Sequence, residues 1–174
     1  MTPSDENETR LLLTTAFKHK GPAAVRYPRG TGPNASVNSD LEVLEIGKAR
    51  VVKESESNVV FLNFGALLDK ALEVSEKMDF TLIDMRFVKP LDQETLRKYL
   101  SKADYFVSLE DGSIAGGAGS AVQEFCSIES IDIKSILLGI PDRFIEHSSR
   151  EEMLESADLS AAKILDRLKP LLGK

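Results

Sequence analysis

The sequence contains few of the residues that build disulfides and metal centres. One cysteine, Cys126, and two histidines, His19 and His147, occur among the 174 residues. A single cysteine excludes an internal disulfide and a multi-cysteine zinc site, and neither histidine has a Cys, His or carboxylate partner at metal-ligand spacing. This composition is typical of a reducing compartment. We therefore expect a cytoplasmic protein that binds no metal through this chain.

Long apolar runs and an excess of positive charge are also missing. The apolar stretches are far shorter than the roughly 20 residues that cross a bilayer, and the polar residues 2–6 are not those of a signal peptide. The chain has 22 Lys and Arg against 28 Asp and Glu, a net charge of −6. Neither nucleic acid nor a membrane is therefore an expected partner. The hydrophobic share of 42% is sufficient for a core at this length.

The first 30 residues predict a helix and a strand that lack a core of their own. Residues 2–20 combine a cap signal at Thr2 with apolar residues at helical spacing, and residues 23–27 have the pattern of a short strand. A single helix–strand pair leaves apolar faces without a partner layer. We interpret residues 1–30 as the end of a neighbouring domain, and residues 31–43, rich in Gly, Pro, Asn and Ser, as a linker.

From residue 44 onward strands alternate with helices, which predicts one α/β domain over residues 44–174. The predicted strands cover residues 49–53, 58–64, 80–84, 105–109 and 133–138. The predicted helices cover residues 66–78, 92–102, 115–126 and 161–172, with one more opened by a capping box from Ser149 to Glu152. Long crossovers require a mostly parallel sheet covered by helices, hence three α/β/α layers with five strands. The first two strands are predicted to form a hairpin through residues 54–57.

The densest polar motif is Arg-Tyr-Pro-Arg-Gly at residues 26–30. Arg26 and Arg29 flank a rigid proline turn, and a guanidinium offers a planar set of donors that matches phosphate or carboxylate oxygens. The turn would hold Arg29 at a strand end, where parallel-sheet proteins bind ligands. The alternative is an exposed surface arginine, which the residues alone favour because most charged side chains are simply solvated.

A second candidate is the glycine-rich segment at residues 116–120, which follows a strand and opens a helix. Glycines at a helix N-terminus let backbone amides approach an anion. The spacing departs from the dinucleotide fingerprint, because Val122 stands where a glycine is needed, and from the phosphate loop. The alternative, which the residues favour, is close packing of the helix on the sheet, with Glu110 as a cap or local partner. Cys126 is interpreted as a small buried residue.

Five segments, in order along the chain, carry a resemblance to a known family. They are MTPSDENE at residues 1–8, AVRYPRG at residues 24–30, NFG at residues 63–65, DMRFVKPLD at residues 84–92 and GGAGS at residues 116–120. Together they resemble the C-terminal part of the 1-deoxy-D-xylulose-5-phosphate synthases, which ends in a transketolase C-terminal-like domain. His147-Ser148 departs from the His-Gly that is frequent in the family and concerns only a detail of one turn.

The resemblance implies an activity and a set of missing parts. The family condenses pyruvate with glyceraldehyde 3-phosphate, releasing carbon dioxide, on thiamine diphosphate and magnesium, for isoprenoid, thiamine and pyridoxal synthesis. Residues 1–30 would end its pyrimidine-binding domain. The cofactor, metal and catalytic motifs would lie in the N-terminal domains of the same homodimeric enzyme, and none on this chain. Arg29 would contact the phosphate of glyceraldehyde 3-phosphate, while Arg26 would assist it or only stabilise the motif.

Three functional hypotheses follow. The first is a C-terminal fragment of the synthase that is inactive alone and supports structure or dimerisation. The second is a free-standing regulatory module that binds an anion at residues 116–120. The third is the corresponding domain of a 2-oxoacid dehydrogenase β subunit, which the Phe-Val-Lys-Pro sequence at residues 87–90 disfavours.

Overall fold

A computed structural model describes residues 1–171 of the chain. Its five strands are Arg50–Lys53 (β1), Val59–Phe64 (β2), Thr81–Asp84 (β3), Tyr105–Ser113 (β4) and Lys134–Ile140 (β5). Its six α-helices are Glu6–Lys18 (α1), Leu68–Met78 (α2), Gln93–Leu100 (α3), Ala118–Ile128 (α4), Arg150–Ser156 (α5) and Ala161–Leu168 (α6), the last followed by a 3-10 helix, Lys169–Leu171. The predicted end of the last helix, Leu172, lies outside the described residues. None of the described helices is both long and apolar enough to span a bilayer.

The five strands form one sheet in the order β1-β3-β2-β4-β5. Strand β2 pairs parallel with both β3 and β4, β4 pairs parallel with β5, and β1 runs antiparallel to β3 at one edge. Every residue of β2 is buried, as expected of a central parallel strand covered on both faces. The prediction of a mostly parallel five-stranded sheet is confirmed.

Two apolar cores cover the two faces of this sheet. Phe61 of β2 packs in a core with residues of α2, α5 and α6, whereas its neighbour Leu62 packs in a core with residues of α3 and α4. Successive residues of a strand point to opposite faces, so β2 supplies both cores at once. The three-layer α/β/α architecture is thereby confirmed.

The connections leave a crevice at the carboxyl ends of β2 and β4. The chain leaves β2 through α2 toward β3, and it leaves β4 through α4 toward β5 on the other side of the sheet. Helices α2 and α4 pack on opposite faces. In open α/β sheets a ligand commonly binds where the strand order reverses in this way. The residues around this crevice therefore determine which ligands the domain can accept.

Of the two predicted helix caps, one is confirmed and the other is wrong. Ser149 and Glu152 form the predicted capping box of α5. The cap predicted at Thr2 is wrong, because α1 begins after Asp5, whose carboxylate accepts a hydrogen bond from a first-turn amide. Thr2 is buried, and its amide donates to the carbonyl of Arg86 at 2.8 Å instead.

Two predictions about strands are wrong: the hairpin of the first two strands, and the short strand at residues 23–27. Strands β1 and β2 form no hairpin, since both edges of β2 are taken by parallel neighbours and β1 pairs with β3. Residues 23–27 form no strand and are mostly exposed. Their backbone hydrogen bonds within the described part of the chain go to Met1, whose carbonyl accepts from the amide of Arg26 at 2.9 Å. A β-ladder needs a neighbouring strand, and one terminal residue does not supply it.

Residues 31–43 run along α1 without regular structure. Polar side chains of α1 hold this segment: the Glu6 carboxylate accepts from the amides of Asn34 and Ala35 at 2.9 and 3.0 Å. Farther along, the hydroxyl of Thr15 accepts from the amide of Leu44 at 2.8 Å. These bonds satisfy backbone groups that no helix or sheet pairs.

Candidate functional site

Two arginines and two carboxylates form a buried cluster at the carboxyl end of β3. Glu8 of α1 accepts two hydrogen bonds from the Arg86 guanidinium, from Nε at 2.8 Å and from Nη2 at 2.6 Å. Arg50 of β1 places Nη2 3.0 Å from Oδ2 of Asp84 and Nη1 3.5 Å from Oε1 of Glu8. Glu8 and Asp84 are only 1% and 0% exposed. Because water has little access to these two carboxylates, their negative charges depend on the two arginines for compensation.

Asp84 is the most enclosed member of this cluster. Its Oδ2 also accepts from the hydroxyl of Ser4 at 2.9 Å, and its Oδ1 accepts from Nδ2 of Asn63 at 3.3 Å. Burial raises the pKa of the Asp84 carboxyl, and the attraction of Arg50 and the Ser4 hydrogen bond oppose that rise. Both oxygens of this carboxylate accept hydrogen bonds, so Asp84 serves as a structural tie.

The cluster fastens the N-terminal segment to the sheet. Ser4 and Glu8 belong to that segment, whereas Arg50 and Asp84 lie on the two strands at one edge of the sheet. Arg86 contributes its side chain to Glu8 and its carbonyl to the amide of Thr2. The segment is thus held through charges and hydrogen bonds as well as through apolar packing.

The same segment covers the crevice between β2 and β4. Gly65, directly after β2, has a backbone φ of +101°, and a Cβ there would lie 3.4 Å from Cβ of Thr2. Asp111 of β4 is 7% exposed and forms an ion pair with Arg26, and its carbonyl accepts from Nη2 of Arg26 at 2.6 Å. Residues of this chain therefore occupy part of the position where a doubly wound sheet usually receives its ligand.

The two arginines of the Arg-Tyr-Pro-Arg-Gly motif have different surroundings. Arg26 is held by Asp111, whose second carboxylate oxygen lies 3.5 Å from Nη2 of Arg150. Arg29 is exposed, and it forms no hydrogen bond or ion pair with any of residues 1–171. The guanidinium of Arg29 is thus accessible, and it lies on a turn whose first residue, Arg26, is fixed by Asp111.

The glycine-rich segment is explained by the packing of α4, because Glu110 fills the N-terminus of this helix. The Glu110 carboxylate accepts from the amides of Ala118 and Gly119 at 2.9 and 3.0 Å, where an external anion would otherwise bind. A Cβ at Gly119 would collide with the hydroxyl of Ser108 on β4, so close approach requires glycine here. Of the two interpretations, close packing with Glu110 as the cap is confirmed.

The histidines and the cysteine take no part in these contacts. His19 is the C-terminal cap residue of α1, and His147 is exposed in the loop before α5. Cys126 is a buried free thiol in α4, and burial raises its pKa. Across residues 1–171, His, Cys, Asp and Glu side chains form no group of three or more that could hold a metal ion.

Comparison with known families settles the relationship of this domain. The family model described as "Transketolase, C-terminal domain" matches residues 47–164, more than half of the chain. This chain belongs to the transketolase C-terminal domain family. The fold family predicted from the sequence is therefore confirmed.

Curated relatives of this transketolase C-terminal domain are 1-deoxy-D-xylulose-5-phosphate synthases. The synthase of Stutzerimonas stutzeri (strain A1501) is 52% identical over 164 residues, which are 94% of this chain and 26% of the relative. The synthase of Hahella chejuensis (strain KCTC 2396) is 48% identical over 172 residues, which are 99% of this chain and 27% of the relative. The predicted resemblance is confirmed, and the chain spans about a quarter of the length of these relatives.

A solved structure has the same arrangement as this transketolase C-terminal domain together with its N-terminal segment. It is a split-gene transketolase described as an inactive β4 tetramer, with a TM-score of 0.84 and 30% sequence identity. The match covers 98% of this chain and 56% of that chain. The likeness thus includes the segment before residue 44 as well as the sheet.

Sequence reasoning about this transketolase C-terminal domain missed the buried cluster. Its four charged members come from three separate segments, and each resembles an ordinary solvated side chain in its own segment; they are Glu8, Arg50, Asp84 and Arg86. One sequence signal could have indicated the cluster: Asp84 and Arg86 are charged residues at the end of a buried strand. They belong to the segment at residues 84–92, which was used only for the family resemblance.

Replacing Glu8 by glutamine is expected to lower the free energy of unfolding of this transketolase C-terminal domain by about 2–3 kcal/mol. The change leaves Arg86 and Arg50 without a full counter-charge, and their partial exposure keeps the loss at the low end for a broken buried pair. Urea unfolding followed by circular dichroism measures it. The matched control is Glu42→Gln at an exposed carboxylate, and equal stability of the two variants would show that the cluster does not hold the segment.

The pH dependence of stability gives a second prediction, at Asp84. Because burial raises the pKa of this carboxyl, the folded state binds its proton more tightly than the unfolded state does. Between the two pKa values, its contribution to the free energy of unfolding therefore grows as the pH falls. We expect the stability of the unaltered chain minus that of Asp84→Asn to increase from neutral to mildly acidic pH in urea titrations. A decrease would mean that Arg50 outweighs burial.

Proposed function

We propose that this transketolase C-terminal domain is part of a 1-deoxy-D-xylulose-5-phosphate synthase, which condenses pyruvate with glyceraldehyde 3-phosphate and releases carbon dioxide. The supporting observation is an identity of about one half to synthases along 94% or more of the chain. Because the chain spans about a quarter of those relatives, the activity would belong to a longer protein. Its products would feed isoprenoid, thiamine and pyridoxal synthesis in the cytoplasm.

Thiamine diphosphate and magnesium would bind to residues outside this chain. A site for them needs oxygen ligands gathered around the metal and free donors for the phosphates. At the carboxyl end of the sheet the acidic side chains already have partners: Asp84 pairs with Arg50, Asp111 pairs with Arg26, and Glu110 caps α4. The described residues therefore do not fit this cofactor, and catalytic residues are proposed for the N-terminal domains of the same enzyme.

Arg29 is proposed to bind the phosphate of glyceraldehyde 3-phosphate. Its exposed guanidinium has no partner within residues 1–171, and it offers the planar donor set that phosphate oxygens accept in pairs. Arg26 is engaged by Asp111 and would support the turn, with its exposed part close enough along the chain to assist. This chain would then supply one part of a substrate site that other domains complete.

The exposed side of α1 supports the proposed domain division. Leu12 of α1 is fully buried, whereas Leu13 and Phe17 on the same helix are 45% and 85% exposed. Apolar side chains left open in this way mark a surface that another protein part covers. We propose that residues 1–30 end a preceding domain of the same enzyme, that residues 31–43 link it to residues 44–174, and that the whole enzyme is a homodimer.

The other two hypotheses have less support. A free-standing module that binds an anion at residues 116–120 would need free amides at the start of α4, and Glu110 already takes those of Ala118 and Gly119. A 2-oxoacid dehydrogenase β subunit would not be expected to share half of its residues with synthases over nearly the whole chain.

The 174-residue chain, purified alone, is expected to form no 1-deoxy-D-xylulose 5-phosphate from pyruvate and glyceraldehyde 3-phosphate. Its described residues lack a place for the cofactor that the reaction needs. Mass spectrometry of a reaction supplied with thiamine diphosphate and magnesium makes the measurement, and the synthase of S. stutzeri serves as the positive control. Product formed by the chain alone would contradict the placing of cofactor and catalytic residues outside it.

Arg29→Ala, made in the full-length synthase, is expected to raise the KM for glyceraldehyde 3-phosphate about 10- to 100-fold and to leave the KM for pyruvate unchanged. The range corresponds to the loss of a charge-assisted hydrogen bond to phosphate, about 1.5–3 kcal/mol. Steady-state kinetics measure both constants. Arg167→Ala, at an exposed arginine of α6, is the control, and an unchanged KM in the Arg29 variant would remove this residue from the substrate site.

A further inference from the structure

We propose that Asp111 is a positioning residue, which fixes the turn at residues 26–30 and thereby places the guanidinium of Arg29. The inference rests on the proposed role of Arg29 in binding the substrate phosphate. Asp111 lies near the carboxyl end of the interior strand β4, beside the crevice on which the N-terminal segment packs. It joins two parts of the chain that are 85 residues apart.

Asp111 is a buried residue of the sheet, so its position is fixed relative to the turn that it contacts. It is 7% exposed, and Oδ1 would lie 3.9 Å from a Cβ built on Gly65, across the crevice. The pairing of β4 with β5 shifts register between Leu109 and Ser113, and Asp111 lies inside this shift. Such irregularities in a strand commonly redirect a side chain next to a functional site.

Arg26 meets Asp111 at two points, which fixes its direction as well as its distance. Its Nη1 pairs with Oδ1 of the carboxylate, and its Nη2 donates to the Asp111 carbonyl at 2.6 Å. The Arg26 side chain is 52% exposed, whereas that of Asp111 is 6% exposed, so solvent screens only the arginine end of the pair. A contact of defined geometry is suited to orienting the residues that follow it in the chain.

Arg150 lies near the other end of the same turn. Its Nη2 lies 3.5 Å from Oδ2 of Asp111, and its Cδ would lie 3.9 Å from a Cβ built on Gly30. The Asp111 carboxylate therefore stands between Arg26, at the start of the turn, and Arg150, which lies beside its end. Without the negative charge the two guanidinium groups would repel each other, and the start of the turn would lose its fixed contact.

The charge balance also suits a phosphate. Asp111 compensates one of its two arginine partners, so these three side chains keep one positive charge, and Arg29 adds another. Phosphate binding needs such an excess of positive charge, together with donors held in place. Asp111 thus lies between Arg26 and Arg150, reduces their mutual repulsion, and leaves a net positive charge around the turn.

The kinetic test uses Asp111→Asn in the full-length synthase. The KM for glyceraldehyde 3-phosphate should rise about three- to fivefold, the loss expected when a half-exposed guanidinium loses the ionic partner that orients it, while the KM for pyruvate and kcat stay within twofold. Arg26→Gln should give the same pattern, and the double variant should be no worse than the larger single effect. Glu129→Gln, which breaks the exposed pair with Arg97 at 2.9 Å, is the matched control and should change neither KM.

A second measurement does not depend on the substrate. In the 174-residue chain, Asp111→Asn should speed hydrogen exchange at the amide of Arg26, which donates to the Met1 carbonyl at 2.9 Å, and Glu129→Gln should not. A large effect of Arg29→Ala on KM with no effect of Asp111→Asn would overturn the positioning role and leave Arg29 in place. Equal losses for both substrates would also overturn it, and so would unchanged hydrogen exchange. If Arg29→Ala is silent, the proposed substrate role fails, and faster exchange in Asp111→Asn would still support the hold on the turn.

Discussion

The ion pairs that join the buried carboxylates of Glu8 and Asp84 to the arginines Arg86 and Arg50 are the interaction on which the rest of this structure depends. Two positive and two negative groups lie together, and water reaches neither of the two carboxylates. Removing any one member would therefore leave a neighbouring charge without compensation. Helix α1 buries Leu11 and Leu12 but also exposes large apolar residues, so the ion pairs supplement its apolar packing. The turn at residues 26–30, which follows α1, has its own ion pair between Arg26 and Asp111.

Around this tie, the domain places its own residues where its fold usually binds ligands. The N-terminal segment packs on part of the crevice at the reversal of strand order, and the Glu110 carboxylate accepts from the amides at the start of α4. Arg29 is exposed and has no partner among residues 1–171. With the substrate role proposed above for Arg29, the domain would present one group to a site that other domains complete. The match to synthases nearly four times as long agrees with this proposal.

The sequence predicted most of what local pattern determines. The run Val59–Phe64 indicated a buried strand, the alternation after it indicated crossovers, and Ser149 with Glu152 indicated a helix start. The errors concern partners that lie far away along the chain. Nothing near β1 indicates that its partner is β3 and not β2. The bond from Arg86 to Glu8 spans 78 residues, and neither residue differs locally from a solvated side chain. The proposed role of Arg29 comes from the family resemblance of its motif. Arg29 forms no hydrogen bond or ion pair within the described residues, so neither periodicity nor packing distinguishes it from other exposed arginines.

The carboxylate of Glu110 has one further consequence, for how the domain responds to small anions. A ligand stabilises a folded protein in proportion to its preference for the folded state, and an empty helix N-terminus would make melting depend on phosphate concentration. Here that terminus carries its counter-charge covalently, from eight and nine residues upstream of the amides it serves. The start of α4 is therefore completed without any dissolved phosphate compound, and these two amides give the stability of the domain no dependence on phosphate concentration.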